Sequence, residues 1–200
     1  MHHGNGTQEL LSDDPRALYL SLHRFGKPGE YFYPGTGAMT EHGTGAGEGF
    51  SVNVPWEERG LGDPDYLAAF SVLARDSGLW TLDSGLWSLD SGLWALGSWL
   101  VADSNDALLP QLPRRPLSLS RQIEPLGRAF GPDLVLISAG FDAAEGDPLG
   151  GMHVTPAGFA HMTQRLMALC GGRVVVALEG GYQLSAVSSS AEAVLRVLLG

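Results

Sequence analysis

Apolar positions along this chain fall into short runs at both ends, with a repetitive stretch between them. Ala17-Leu18-Tyr19-Leu20-Ser21-Leu22 and Gly49-Phe50-Ser51-Val52-Asn53-Val54 are rich in apolar, aromatic and β-branched residues and read as strands, the second closed by Pro55. Thr7 to Leu11 predicts a short helix, and Pro34 to Gly49 a Gly-rich loop. Asp63 followed by Pro64 is a helix start: a capping carboxylate precedes a residue whose absent N–H costs nothing in the first turn. That helix should run through Tyr66, Leu67, Ala69, Phe70 and Leu73.

Towards the other end, Leu134-Val135-Leu136-Ile137 lacks polar alternation and predicts a strand covered on both faces. Arg173 to Leu178 predicts a second buried strand. Helices are expected around Ile123 to Phe130 and from Thr155-Pro156 to a stop at Gly171-Gly172. A last one runs through Leu184, Val187, Val194, Leu195 and Leu198. Strands alternating with helices predict an α/β fold with a parallel sheet and helices on both faces.

Residues 75–120 differ in kind. Asp-Ser-Gly-Leu-Trp starts at Asp76, Asp83 and Asp90, and Trp80, Trp87, Trp94 and Trp99 all lie here. The heptad spacing invites a coiled coil, but Gly and Ser in every repeat oppose a helix. Pro110 to Pro116 is loop-like. The segment reads as an insertion without catalytic role, a tandem expansion or translated non-coding sequence, that interrupts one domain spanning 1–200.

The bulk properties narrow the function. With 200 residues and 44% hydrophobic content, the chain can bury a real core. A net charge of −10 argues against a direct nucleic-acid partner. One cysteine, Cys170, excludes an internal disulfide and suits a reducing compartment. No apolar run reaches the roughly eighteen residues of a membrane span, so no membrane association is expected.

Candidate chemistry lies at strand ends. In Ser138-Ala139-Gly140-Phe141-Asp142-Ala143 a carboxylate follows an apolar strand, where open α/β sheets place functional groups. Met1-His2-His3-Gly4-Asn5-Gly6-Thr7-Gln8 supplies imidazoles. A catalytic zinc is commonly held by three groups from His, Asp, Glu or Cys, so His2 and Asp142 are candidate ligands. Alone, each is more often structural, and a His pair beside a Met also fits a tag remnant.

Their surroundings decide the reading. Seven motifs occur in order: the His2–Gln8 segment, Ser21-Leu22-His23-Arg24, Tyr33-Pro34-Gly35-Thr36-Gly37, Gly62 to Phe70, Ser138 to Ala143, Gly146-Asp147-Pro148-Leu149-Gly150-Gly151, and Leu178-Glu179-Gly180-Gly181-Tyr182. Together they resemble the zinc-dependent histone deacetylase family, closest in wording to class II, over all but about 75–120. The resemblance implies the deacetylase/arginase-like fold and hydrolysis of acetyl-lysine amides. It implies His2 and Asp142 as zinc ligands and Tyr182 as the catalytic tyrosine that polarises the carbonyl. Gly180 and Gly181 would line the acyl-lysine channel, with Tyr33 and Leu149 as its walls. Asn5 would be a second-shell partner of the catalytic histidines. Ser21, with the carbonyls of His2 and Leu22, would form part of a structural K⁺ site. It further implies acetylated histone or other protein substrates, corepressor complexes, chromatin and transcription regulation, and a nuclear or cytoplasmic location; an acetylated polyamine is the alternative substrate.

Two family features find no match. The first ligand Asp would fall before Met1, and the tandem His pair that acts as base and acid has no counterpart. His3 is not that pair, and His23, His42, His153 and His161 fall elsewhere. The N-terminal part of the domain is therefore expected to be missing. Two readings follow: a metal-dependent deacetylase, feeble or inactive as this chain, or a non-catalytic interaction fragment derived from one. Glu145 and Asp147, in a Gly- and Pro-rich loop, read as solvated or capping acids.

Overall fold

A computed structural model describes residues 1–71, 98–102 and 123–200. The elements are α1 (Asn5–Leu11), β1 (Ala17–Arg24), β2 (Ser51–Trp56), α2 (Asp63–Ser71), β3 (Ser98–Ala102), α3 (Ile123–Phe130), β4 (Leu134–Ala139), α4 (Pro156–Met167), β5 (Val174–Leu178) and α5 (Leu184–Leu199). The strands form one sheet in the order β2-β1-β3-β4-β5. β1 pairs with β2, and β4 with β5, in parallel. β3 runs antiparallel to both of its neighbours. Four strands therefore share one direction, and their carboxyl ends share one edge of the sheet.

The expected α/β architecture is present, with three differences. β3 falls inside the segment read as an insertion, yet it is the central strand. Ser98-Trp99-Leu100-Val101-Ala102 is itself an apolar run of strand-forming residues, which the repeat before it obscured. The repeat lies outside the described residues. β2 continues through Pro55, which an edge strand tolerates because one side of its backbone has no ladder to complete.

The third difference concerns burial. β1 is buried along its whole length, as is β2. β4 instead alternates: Val135 and Ile137 face the core, while Leu136 and Ser138 are half-buried. On β5, Val175 and Leu178 are 53% and 66% exposed, so this strand is not the buried one its composition predicts. Among the described residues the face of β5 that bears Val175 is the more exposed one, and Val174 and Val176 on the opposite face pack on the core that holds Phe159, Met162, Leu166 and Val194. Each fully buried side chain of this size contributes about 1.5–3 kcal/mol.

One carboxylate joins two helix starts. Thr155 caps α4, its Oγ1 accepting from Gly158 N at 3.2 Å. Thr155 donates its own N–H and hydroxyl to Asp63, at the start of α2, at 2.8 and 2.6 Å. Asp63→Ala strands both donors and should destabilise the fold by about 2–3 kcal/mol. A urea midpoint lowered at unchanged slope checks it; Asp63→Asn, which keeps one acceptor, should lose less.

Candidate functional site

The site is built where three carboxyl ends of strands meet the start of the chain. The carbonyl of Met1 accepts from Arg24 N at 2.9 Å, which pins the first residues to the end of β1. Beyond β4, Phe141–Ala143 form a single 3-10 turn that buries Asp142 at 2% exposure. Beyond β5, the carbonyl of Gly180 accepts from Phe141 N at 2.7 Å. Residues far apart in sequence are thus fixed side by side by backbone hydrogen bonds.

His2 and Asp142 come together. Nε2 of His2 lies 3.5 Å from Oδ2 of Asp142. Oδ1 of Asp142 accepts from the amino group of Met1 at 3.1 Å. Nδ1 of His2 is 2.9 Å from the carbonyl oxygen of Tyr33. A carbonyl only accepts, so Nδ1 carries a proton, and in the neutral ring Nε2 is the nitrogen whose lone pair faces Asp142. That is the tautomer a metal ligand needs, fixed by the hydrogen bond on the other nitrogen. The imidazole also stacks on Phe32, with centroids 5.1 Å apart and planes 6° apart, and Arg24 lies over the same ring at 4.3 Å.

Glycines allow the close approach of the last segment. A Cβ on Gly180 would meet Asp142 Oδ2 at 2.6 Å, so only bare backbone fits against the carboxylate. Gly181 has φ 140° and a Cβ there would press on Val187 and Phe141. The packing alone calls for glycine at both positions, through contact with Asp142 and with α5.

The remaining candidates are placed unevenly. Tyr33 and Leu149 are exposed, at 63% and 56%. Tyr33 adjoins His2 through its carbonyl, and Leu149 belongs to the turn whose Gly150 packs on Asp142. Tyr182 is 56% exposed, and its N–H donates to Asp147 Oδ2 at 2.7 Å. Ser21 and Leu22 are fully buried in β1. Asn5 is exposed as the first residue of α1, and the side chain bonded to His3 is that of Gln8.

Two features escaped the sequence reading. Asp147, read as solvated or capping, does cap the N–H groups of Leu149 and Gly150, but it is only 7% exposed and also accepts from Tyr182 N. A buried polar cluster also underlies the loop after β1, centred on His3 and His23, whose rings lie 4.7 Å apart. Nε2 of His23 donates to the Gly37 carbonyl at 2.9 Å, so Nδ1 accepts from the Ser21 hydroxyl at 2.8 Å. Nε2 of His3 donates to Gln8 Oε1 at 3.0 Å, and Nδ1 faces the Thr36 hydroxyl at 2.8 Å. Gln8 in turn donates to Glu41, which also accepts from the backbone N–H groups of Gly37 and Ala38. A Glu in a Gly-rich loop gives no signal of burial; the Gln five residues after His3 gives little more.

Known proteins resemble this chain in sequence and in fold. A family model described as "Histone deacetylase domain" matches residues 1–77 and 117–198. The chain belongs to the histone deacetylase family. It is 44% identical over its whole length to histone deacetylase 15 of Arabidopsis thaliana, of which it covers 27%, and 42% identical to human histone deacetylase 7, of which it covers 16%. The crystal structure of the HDA15 HD domain superposes with a TM-score of 0.72 at 44% identity, over 100% of this chain and 42% of that one. The structure of the histone deacetylase Clr3 gives 0.72 at 39% identity, with 25% of that chain covered. The chain therefore spans about a quarter or less of the curated relatives' length. No described helix is long and apolar enough to cross a membrane.

Burial holds the His23 imidazole down to about 3 from its ordinary 6.5, helped by the charges of His3, Met1 and His2. Unfolding releases the ring to take up a proton at any pH below about 6.5. The stability it contributes is therefore complete above about 6.5 and lost as pH falls towards about 3, at up to about 1.4 kcal/mol per pH unit. Urea midpoints between pH 4 and 7 should show this slope, and His23→Gln should flatten it. An equally steep profile in that variant would assign the acid sensitivity to other groups.

Proposed function

We propose that this chain carries part of the catalytic centre of a zinc-dependent lysine deacetylase. The observation that carries the reading is the pairing of His2 and Asp142. A buried carboxylate and an imidazole nitrogen meet at 3.5 Å, across most of the chain's length. These are donor types that a zinc ion takes.

The fit to zinc is good in kind and short in number. His2 and Asp142 are suitable donors; among the described residues no group of three or more His, Cys, Asp or Glu is placed to hold a metal. Zinc bound there would supply Lewis-acid polarisation of the amide carbonyl and acidify a water.

The chain's own groups divide the remaining work. Tyr182 donates its phenol O–H to the carbonyl oxygen as negative charge develops there. Tyr33 beside His2, and Leu149 beside Asp142, give the mouth its apolar walls, which strip water from the lysine stem. Gly180 keeps the floor at Asp142 free of side-chain bulk. Hydrolysis joins the water oxygen to the acetyl carbon, breaks the C–N bond, and passes a proton to the departing lysine amine. The products are acetate and free lysine. The proposed substrates are acetylated lysines of histones or other proteins, with chromatin and transcription control, corepressor partners and a nuclear or cytoplasmic site of action following from the family. A structural K⁺ beside Ser21 and Leu22 belongs to the same reading.

With two protein donors the chain should bind zinc weakly and turn over feebly. Calorimetric zinc titration should give one site that Asp142→Asn abolishes. Tyr182→Phe should leave zinc affinity intact and lower kcat on an acetyl-lysine peptide by about 10²- to 10³-fold. Zinc bound equally well by Asp142→Asn would move the ion elsewhere. Zinc bound without any turnover would favour the interaction-fragment reading, and preference for an acetylated polyamine would change the substrate class.

A further inference from the structure

We propose that Asp147 is a positioning residue: a buried carboxylate that fixes the backbone from which Tyr182 reaches the scissile carbonyl, and ties it to the turn bearing Leu149. The role of Tyr182 itself rests on the deacetylase reading above.

Asp147 is 7% exposed, and its acceptor capacity is spent on backbone N–H groups. Oδ1 accepts from Leu149 at 2.9 Å and Gly150 at 3.1 Å, and Oδ2 from Tyr182 at 2.7 Å. One carboxylate thus spans two segments that flank Asp142. The turn packs against the Asp142 backbone through Gly150, and Gly180 packs against its side chain.

The segment after β5 needs such a tether. β5 ends at Leu178 and α5 begins at Leu184. Between them the chain is held by Glu179 N to the Ala139 carbonyl, by the Gly180 carbonyl to Phe141 N, and then by Tyr182 N to Asp147. The Tyr182 ring is more than half exposed, so ring packing orients it weakly. Its hydroxyl sits at the end of a long lever, where a small backbone rotation becomes a displacement of about 1 Å, enough to cost about 10²-fold in rate. Hydrogen bonds to an ionised acceptor are the strong kind, suited to holding that backbone. Pro148 stiffens the turn between the carboxylate and Leu149.

The test compares Asp147→Asn, Asp147→Ala, Tyr182→Phe and the Asp147→Asn/Tyr182→Phe double variant of the full chain. Amide hydrogen exchange reads the tether directly. At Tyr182 it should speed up by at least about tenfold in Asp147→Asn, while β1 amides keep their protection. Zinc-dependent turnover of an acetyl-lysine peptide reads the consequence: kcat should fall by about ten- to a hundredfold with KM within about twofold, and Asp147→Asn should cost nothing further in a Tyr182→Phe background. Should Asp147→Ala fail to fold, the isosteric Asn variant carries the test. Unchanged exchange at Tyr182 overturns the proposal, as does a full extra loss of kcat in the double variant. A parent chain without any turnover sinks the deacetylase reading separately, and the exchange measurement still decides whether the tether exists.

Discussion

The convergence of His2 on Asp142 depends on one constraint: β1, β4 and β5 all point the same way. Their carboxyl ends lie on one edge of the sheet, so whatever follows each strand is delivered to the same neighbourhood. Arg24 closes β1 and binds the Met1 carbonyl, which brings His2 with it. Asp142 follows β4, and Gly180 to Tyr182 follow β5. The antiparallel β3 keeps β1 and β4 in the same direction because it is reversed against both. A site assembled from three strand ends needs no long loop to close it, and its geometry is as rigid as the ladder behind it.

Much of this was legible in the sequence, for a physical reason. Strands with buried faces and helices with caps obey local rules, so α2 begins at Asp63 and α4 after Thr155, as Asp-Pro and Thr-Pro predict. The approach of His2 to Asp142 was legible because a run of ordered motifs constrains each residue more tightly than its own type does. The failures are equally physical. β3 was hidden because a five-residue apolar run beside a repeat looks like part of that repeat. The exposure of Val175 and Leu178 was illegible because composition reports what a strand can bury, not what covers it. Asp147 was read as solvated or capping, and it does cap the N–H groups of Leu149 and Gly150; what loop composition did not show is its burial, completed by Tyr182 far along the chain. The contact of Gln8 with His3 was not read, because sequence spacing alone does not fix the entry angle of α1.

The histidine cluster beneath the loop explains how a Gly-rich segment can support a site. Residues 35–49 contain little that packs, yet Gly37 is held on three sides: its carbonyl by His23, and its N–H by both oxygens of Glu41. Burial favours the neutral forms of His3 and His23, since desolvation pushes both below the ordinary histidine range. Neutral rings each have one donor and one acceptor, and both are used. A polar network in which both rings use their donor and their acceptor restricts the loop to one arrangement, where an apolar core would tolerate several.

That restriction reaches the candidate ligand. The loop that the buried histidines anchor is the one whose Tyr33 carbonyl accepts the Nδ1 proton of His2, and whose Phe32 ring lies flat against the imidazole. Orientation and tautomer of His2 are therefore set by protein groups before any ion arrives. A ligand ordered in advance loses less conformational freedom on binding, so a two-donor site of this design should bind better than two free side chains, though below a complete set of three. The same logic separates rigidity from completeness. A pair held by protein groups keeps its geometry whether or not a third donor is supplied, so the approach of His2 to Asp142 belongs to the fold itself.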